Sequence, residues 1–208
     1  MLDKEINHMT MTTLPAPAEV AARANDILDA LKAHPDYERL GDSARRYTDC
    51  WATFTGYPII ASWNLDTDTG PLFDEAMRVL ALKSAVFELT DGDEHAAELV
   101  VSAPVDEMVH AVLAQYTLCQ RMTAALGIRF VHMTDQERFG WNPGDYTHRC
   151  YLAAGWGEPN PRYWIDAATT RSRLQILNQR YATVGIGRDG RSHSIDFTGE
   201  AARLVLAG

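Results

Sequence analysis

The sequence predicts a mostly α-helical chain, a single bundle-like domain that ends in a small C-terminal β-hairpin. Three observations carry this expectation. Apolar residues recur every three or four positions over several long stretches, as they do in helices that bury one face. Pro and Gly stand at the ends of those stretches. Two short β-like runs, Val184-Gly185-Ile186 and His193-Ser194-Ile195-Asp196-Phe197, flank the turn Arg188-Asp189-Gly190. A length of 208 residues fits one domain, since single domains reach about 250 residues. With 46% hydrophobic and 23% charged residues there is enough apolar surface for a core.

The elements follow in order. Residues 1–13 carry the pair His8-Met9 and a further methionine, Met11, and read as a tail or cloning remnant outside the domain 14–208. From Pro17 the stripe Val20, Ala24, Ile27, Leu28 and Leu31 predicts a first helix, closed by His34-Pro35. Asp42 or Ser43 can cap a second helix with Tyr47, Cys50, Trp51 and Phe54 facing inward, stopped at Gly56-Tyr57-Pro58. Residues 64–71 carry turn chemistry, and Pro71 opens a third helix with Phe73, Met77, Leu80, Ala81, Val86 and Phe87 on its apolar side, ending near Asp91-Gly92. A long fourth helix is expected from Ser102 or Pro104 to Leu126, striped by Val105, Met108, Val109, Val112, Leu113, Tyr116 and Met122 and stopped by Gly127. A Gly-, Pro- and Trp-rich segment follows His132, with one helix fitting at about 144–154, and residues 167–182 read as a last helix carrying Leu174, Ile176, Leu177 and Tyr181.

Composition excludes several classes of partner. A net charge of −9, with no basic cluster longer than Arg45-Arg46, repels phosphate backbones and anionic membranes. No apolar run approaches the ~20 residues that span a bilayer, and the N-terminus lacks a basic start followed by an apolar stretch, so a cytoplasmic protein is expected. Cys50, Cys119 and Cys150 are odd in number and widely spaced, which fits reduced, buried thiols in a reducing compartment.

Within the expected fourth helix stand Pro104-Val105-Asp106, His110, Leu113, Tyr116 and Cys119, then Gly127 and His132. This order resembles the bacterial branch of the glycine-rich domain protein-like family, where an Asp and a His stand four apart on a helix, a Leu, Tyr and Cys follow, and a histidine comes beyond the next turn. A second block, Tyr146-Thr147, Tyr151, Trp156-Gly157-Glu158-Pro159 and Trp164, is similar to that family's closing pattern. Together the blocks span about residues 102–165. The chain departs from the pattern at Val109, where the family usually has Trp, at Val112, where it has a second His, and at Met133, where another His often follows. The resemblance implies a mostly helical fold and no settled activity.

Asp106 and His110, four apart, share one helix face and can meet His132 arriving from the following turn. Two imidazoles and a carboxylate can hold a divalent metal such as iron or zinc and leave positions open for substrate. The competing reading is structural, with Asp106 favouring the helix dipole and His110 hydrogen-bonded internally. His148 and Cys150 lie in the aromatic segment, where loops held by large anchors build ligand pockets, and a Cys-His pair can make a thiolate nucleophile. Residues two apart on a helix face different ways, however, so that pair would need a partner elsewhere. Trp141, Tyr146, Trp156 and Trp164 are candidate ligand-binding residues, and large aromatics also dominate cores.

Two motif matches are set aside on context. Gly185-Ile186-Gly187-Arg188-Asp189-Gly190 has the dinucleotide-binding glycine spacing, but a strand-like run follows where a helix is required. Asn64, Asp66, Asp68 and Glu75 fall at calcium-loop positions, yet the required sixth-place glycine is Thr69.

Two functional expectations result. In one, the chain is an enzyme acting on a small molecule or peptide through the Asp106/His110 helix, with His148 as a further polar group. In the other, it is a non-catalytic binding or scaffold protein that recognises its partner through the Trp-rich segment 139–165. A pocket between that helix and that segment is expected in either case.

Overall fold

A computed structural model describes residues 13–47, 56–133, 140–188 and 190–195. Among these, eight α-helices run in the order α1 (Pro17–Ala33), α2 (Tyr37–Arg46), α3 (Leu65–Leu89), α4 (Glu94–Ala97), α5 (Ala103–Leu113), α6 (Tyr116–Leu126), α7 (Tyr146–Ala153) and α8 (Ala167–Ala182). A 3-10 turn at Tyr57–Ile59 precedes α3, and β1 (Ile186–Gly187) pairs antiparallel with β2 (Ser192–His193). The mostly helical fold with its small C-terminal hairpin is therefore as expected, and β1 and β2 bracket the Arg188 to Gly190 turn rather than a nucleotide-binding loop.

α3 is the axis. From Val79 to Val86 every residue is buried, so this stretch is covered all round, as only a central helix can be. α1, α2, α4, α5 and α7 all pack on it, while α8 leans on the 3-10 turn and on β1. The stripe of α1 is buried as predicted, and one continuous apolar core joins α1, α3, α5 and the aromatic residues Trp141, Tyr151 and Trp164.

Three expected boundaries differ. The second helix starts at Tyr37, not at Asp42 or Ser43, and ends at Arg46. Its buried face is only Leu40, Gly41 and Ala44, and a Cβ at Gly41 would come within 3.1 Å of the Phe73 ring. A small residue there lets α2 approach α3, a contact that leaves no bulky apolar stripe to read. Cys50, Trp51 and Phe54 lie outside the described residues.

The stretch read as a turn at 64–71 is the first part of α3, with Pro71 inside the helix. Asn64 caps it by accepting from the Asp66 amide, and Asp68 accepts from the Asn64 amide (both 2.9 Å). Acidic residues in a first turn favour the helix dipole. Glu75 is buried against aromatic residues and is part of this helix, so the calcium-loop spacing has no loop beneath it.

The long fourth helix is two helices. α5 stops at Leu113, and α6 restarts at Tyr116 with the Leu118 and Cys119 amides donating to the Gln115 carbonyl. Cys119 Sγ reaches back to the Val112 carbonyl at 3.2 Å and braces the corner. The corner turns Tyr116, expected in the stripe, out to 69% exposure. The Gly127 stop is met, at φ 64°.

Candidate functional site

Three pieces of local structure bring Asp106, His110 and His132 together. Ser102 precedes α5, and its hydroxyl both donates to the Tyr163 carbonyl (2.5 Å) and accepts from the Ile165 amide (3.1 Å). That clamp ties the start of α5 to the Trp-rich segment. One helical turn then stacks Asp106 beneath His110. Beyond α6 the left-handed Gly127 reverses the chain, the Arg129 carbonyl accepts from Ser84 of α3 (2.7 Å), and the Met133 amide donates to Glu98 (2.8 Å). The segment between these anchors delivers His132.

The ligand atoms of the three side chains all lie within 4.8 Å of one another. His110 Nε2 is 2.5 Å from His132 Nε2 and 3.6 Å from Asp106 Oδ2. The side chains of Asp106 and His132 are buried, while that of His110 is 32% exposed, so the cluster opens outward at His110. Such an arrangement offers one carboxylate oxygen and two imidazole nitrogens to a common point.

Behind His132 stands a pair that the sequence reading passed over. Lys83, on the all-buried part of α3, has its side chain fully buried, with Nζ 2.6 Å from Glu98 Oε1 and 3.2 Å from His132 Nδ1. The signal for it was a lone charge within the apolar run Leu80-Ala81-Leu82-Lys83-Ser84-Ala85-Val86. An ammonium can only donate. In this arrangement His132 Nδ1 therefore accepts, and a neutral His132 carries its proton on Nε2, pointed at His110.

The remaining candidates sit elsewhere. His148 Nδ1 accepts from the Gly144 amide (2.8 Å), its Nε2 is 3.4 Å from Glu158, and its ring meets the Trp141 ring edge-on. None of these contacts reaches the Asp106/His110/His132 cluster. His148, Trp141 and Trp164 line a cleft of about 330 Å³ with Glu158, Asp166 and Arg173. No residue of α5 lines that cleft, which lies within the Trp-rich segment and the start of α8.

Tyr146 and Trp156 face α1 rather than the cleft. The Tyr146 hydroxyl donates to the Pro15 carbonyl and Trp156 Nε1 to Asn25 Oδ1, both at 2.7 Å. Cys150 is wholly buried, and burial pushes its thiol up to about 11, far from a thiolate nucleophile. Glu75, weighed in the sequence only as a calcium-loop position, is a further buried acid. It accepts from Arg78 (2.7 Å), from the Tyr151 hydroxyl (3.0 Å) and from Trp164 Nε1 (2.9 Å), which joins α3 to α7 and to the aromatic segment.

No family model, no curated protein and no solved structure matches this chain.

Proposed function

We propose that the chain is a metal-dependent enzyme acting on a small molecule or peptide, with Asp106, His110 and His132 as the ligands of a divalent cation of the iron or zinc kind. The observation that carries this reading is the convergence of one carboxylate oxygen and two imidazole nitrogens within 4.8 Å, open to solvent on the His110 side. Bonds of about 2.0–2.1 Å to a tetrahedral ion place ligand atoms about 3.3 Å apart. The Asp106 to His110 separation of 3.6 Å is already near that, and the two imidazoles need to part by less than an ångström from 2.5 Å. Three protein ligands with open positions are the pattern of catalytic rather than structural sites.

A bound divalent cation supplies Lewis acidity at the open positions. The chain's own part is to hold the two imidazoles and the carboxylate, to keep water away from their buried sides, and to admit substrate past His110. On this reading the chain is a relative of the bacterial glycine-rich domain protein-like family, whose Asp and His on a helix and histidine beyond the turn correspond to these three residues.

The test is elemental mass spectrometry on untagged protein purified without chelator, with His110→Ala alongside. Near-stoichiometric iron, zinc or manganese that vanishes in the variant is the expected result. Metal-free protein in both samples that also takes up no added zinc sinks the proposal.

A second reading, that of a non-catalytic binding protein, is favoured by the cleft around Trp141, His148 and Trp164. Saturable binding of a peptide or small molecule that is lost on His148→Ala, but untouched by His110→Ala, supports it.

A further inference from the structure

We propose that Glu98 and Lys83 are positioning residues for His132, with Glu98 as the carboxylate that accepts a hydrogen bond from His132 Nδ1–H when Nε2 binds a cation. This inference rests on the metal reading above. A fully buried lysine is paired with a mostly buried glutamate (side chains 0% and 10% exposed), and burying charge is unfavourable unless the polar atoms are used.

Here the polar atoms are used on one short segment. Lys83 Nζ serves Glu98 Oε1 and His132 Nδ1, and Glu98 Oε2 takes the Met133 amide. The pair thus grips both the ring of His132 and the backbone next to it. A well-packed apolar pair would fill the same space at lower cost, so the polarity points to what it does for His132.

The chemistry of the imidazole says what that is. A histidine ligates through an unprotonated nitrogen, and its other nitrogen donates a hydrogen bond that fixes the ring. In the arrangement seen, the Lys83 ammonium occupies Nδ1, which leaves the proton on Nε2 and closes that atom to a cation. Ligation through Nε2 therefore requires the proton on Nδ1 and an acceptor facing it. Glu98 Oε1 stands 3.7 Å from Nδ1. A small swing of the Lys83 ammonium off Nδ1, while it stays on Glu98, turns the pair from a lysine-to-histidine contact into a carboxylate–histidine–cation line. The proton exchanges nitrogens on one ring, and the net charge of the cluster does not change.

The test uses the full chain with Zn²⁺ affinity measured by chelator competition and the Co²⁺ absorption spectrum as a report on coordination geometry. Glu98→Gln is expected to weaken Zn²⁺ binding by about 10–100-fold, the range for loss of such an outer partner, and to alter the Co²⁺ spectrum. Glu98→Asp, which keeps the charge beside Lys83, is expected to restore part of the affinity, and it carries the test should Glu98→Gln not fold. If wild-type protein binds and His132→Ala does not, yet both Glu98 variants match wild type in affinity and spectrum, the positioning role is overturned and the metal site stands. If wild type and His132→Ala take up Zn²⁺ alike, or neither takes it up, the metal reading itself fails and this inference with it.

Discussion

Arg162 grips Asp68 with two prongs, Nε at 2.6 Å from Oδ1 and Nη2 at 2.8 Å from Oδ2, and so fastens the Trp-rich segment to the first turns of α3. The same guanidinium donates to the Ala61 and Ser62 carbonyls (2.8 and 3.1 Å), and the Tyr163 hydroxyl donates to Asp68 Oδ1 (2.9 Å). The Arg162 hydrogen bonds, with help from the Asn64 amide and Tyr163, lower the Asp68 carboxyl from 3.8 to about 2.

A folded-state value below the unfolded one means that this stabilisation is fully present above about pH 4. It is lost as the pH falls toward 2. Urea midpoints measured from pH 5 to pH 2 should decline through that window in the wild type. Asp68→Asn should be less stable at neutral pH and flatter below pH 4, and parallel curves for the two proteins would exclude Asp68 as the titrating group.

Removal of the Glu75 carboxylate strands the Tyr151 hydroxyl, the Trp164 indole N–H and Arg78 around a buried gap. Glu75→Ala should cost about 3–5 kcal/mol, as when one partner of a buried charged pair is removed. Asp74→Ala, on the exposed side of the same helix, should stay within about 0.5 kcal/mol of wild type. Thermal unfolding followed by circular dichroism compares the two, and similar losses would count against the network.

Burial raises the thiols of Cys119 and Cys150 to about 11. Neither should react with a thiol reagent at pH 8 in the native state, because the thiolate is the nucleophile. Mass spectrometry after brief native alkylation should find both unmodified, and both modified in denaturant.

His110 has the most exposed side chain of its cluster. His110→Ala should therefore leave the melting temperature nearly unchanged while metal content falls. A drop of several degrees without a change in metal content would mark His110 as a structural residue, since leaving buried polar groups unmatched costs about 1–3 kcal/mol.

A side chain at position 56 has no room, because a Cβ on Gly56 would overlap the Glu107 carboxylate, which accepts from the Tyr57 amide at 2.9 Å. Gly56→Ala should destabilise by about 1–3 kcal/mol, the usual cost of overpacking. Gly144→Ala has open space around it but a backbone φ of +92°, so its smaller loss would come from the backbone alone.

Much of the helical layout was legible because it depends on local periodicity and on chain breakers. α1 and α8 were legible to their ends, α7 to within two residues, and the stop at Gly127 and the small hairpin from turn chemistry. Asp106 and His110 could be paired because helical spacing alone puts them on one face, and His132 because the turn after Gly127 had to bring the chain back.

The misread elements were those whose local signals pointed elsewhere. Asn64 to Pro71 has the composition of a turn, yet the cap at Asn64 and the Arg162 grip on Asp68 favour a helix. The corner at Ala114 and Gln115 has no Gly or Pro to announce it, and depends on a Cys119 contact made only once the chain has folded. The bounds of α2 were misplaced because its packing uses the absence of a side chain at Gly41.

Interactions within a few residues set the helical class, many of the helix ends, and a carboxylate and two histidines at spacings that can converge, and these are legible along the chain. That Lys83 and Glu98 back His132, that Glu75 gathers Tyr151 and Trp164, and that His148 lines a cleft with Trp141 and Trp164 depends on how the helices pack. Those contacts join side chains 15 to 89 positions apart along the chain, and they exist only where the packing of α3 against its neighbours excludes water and leaves each buried polar atom to find its partner across the core.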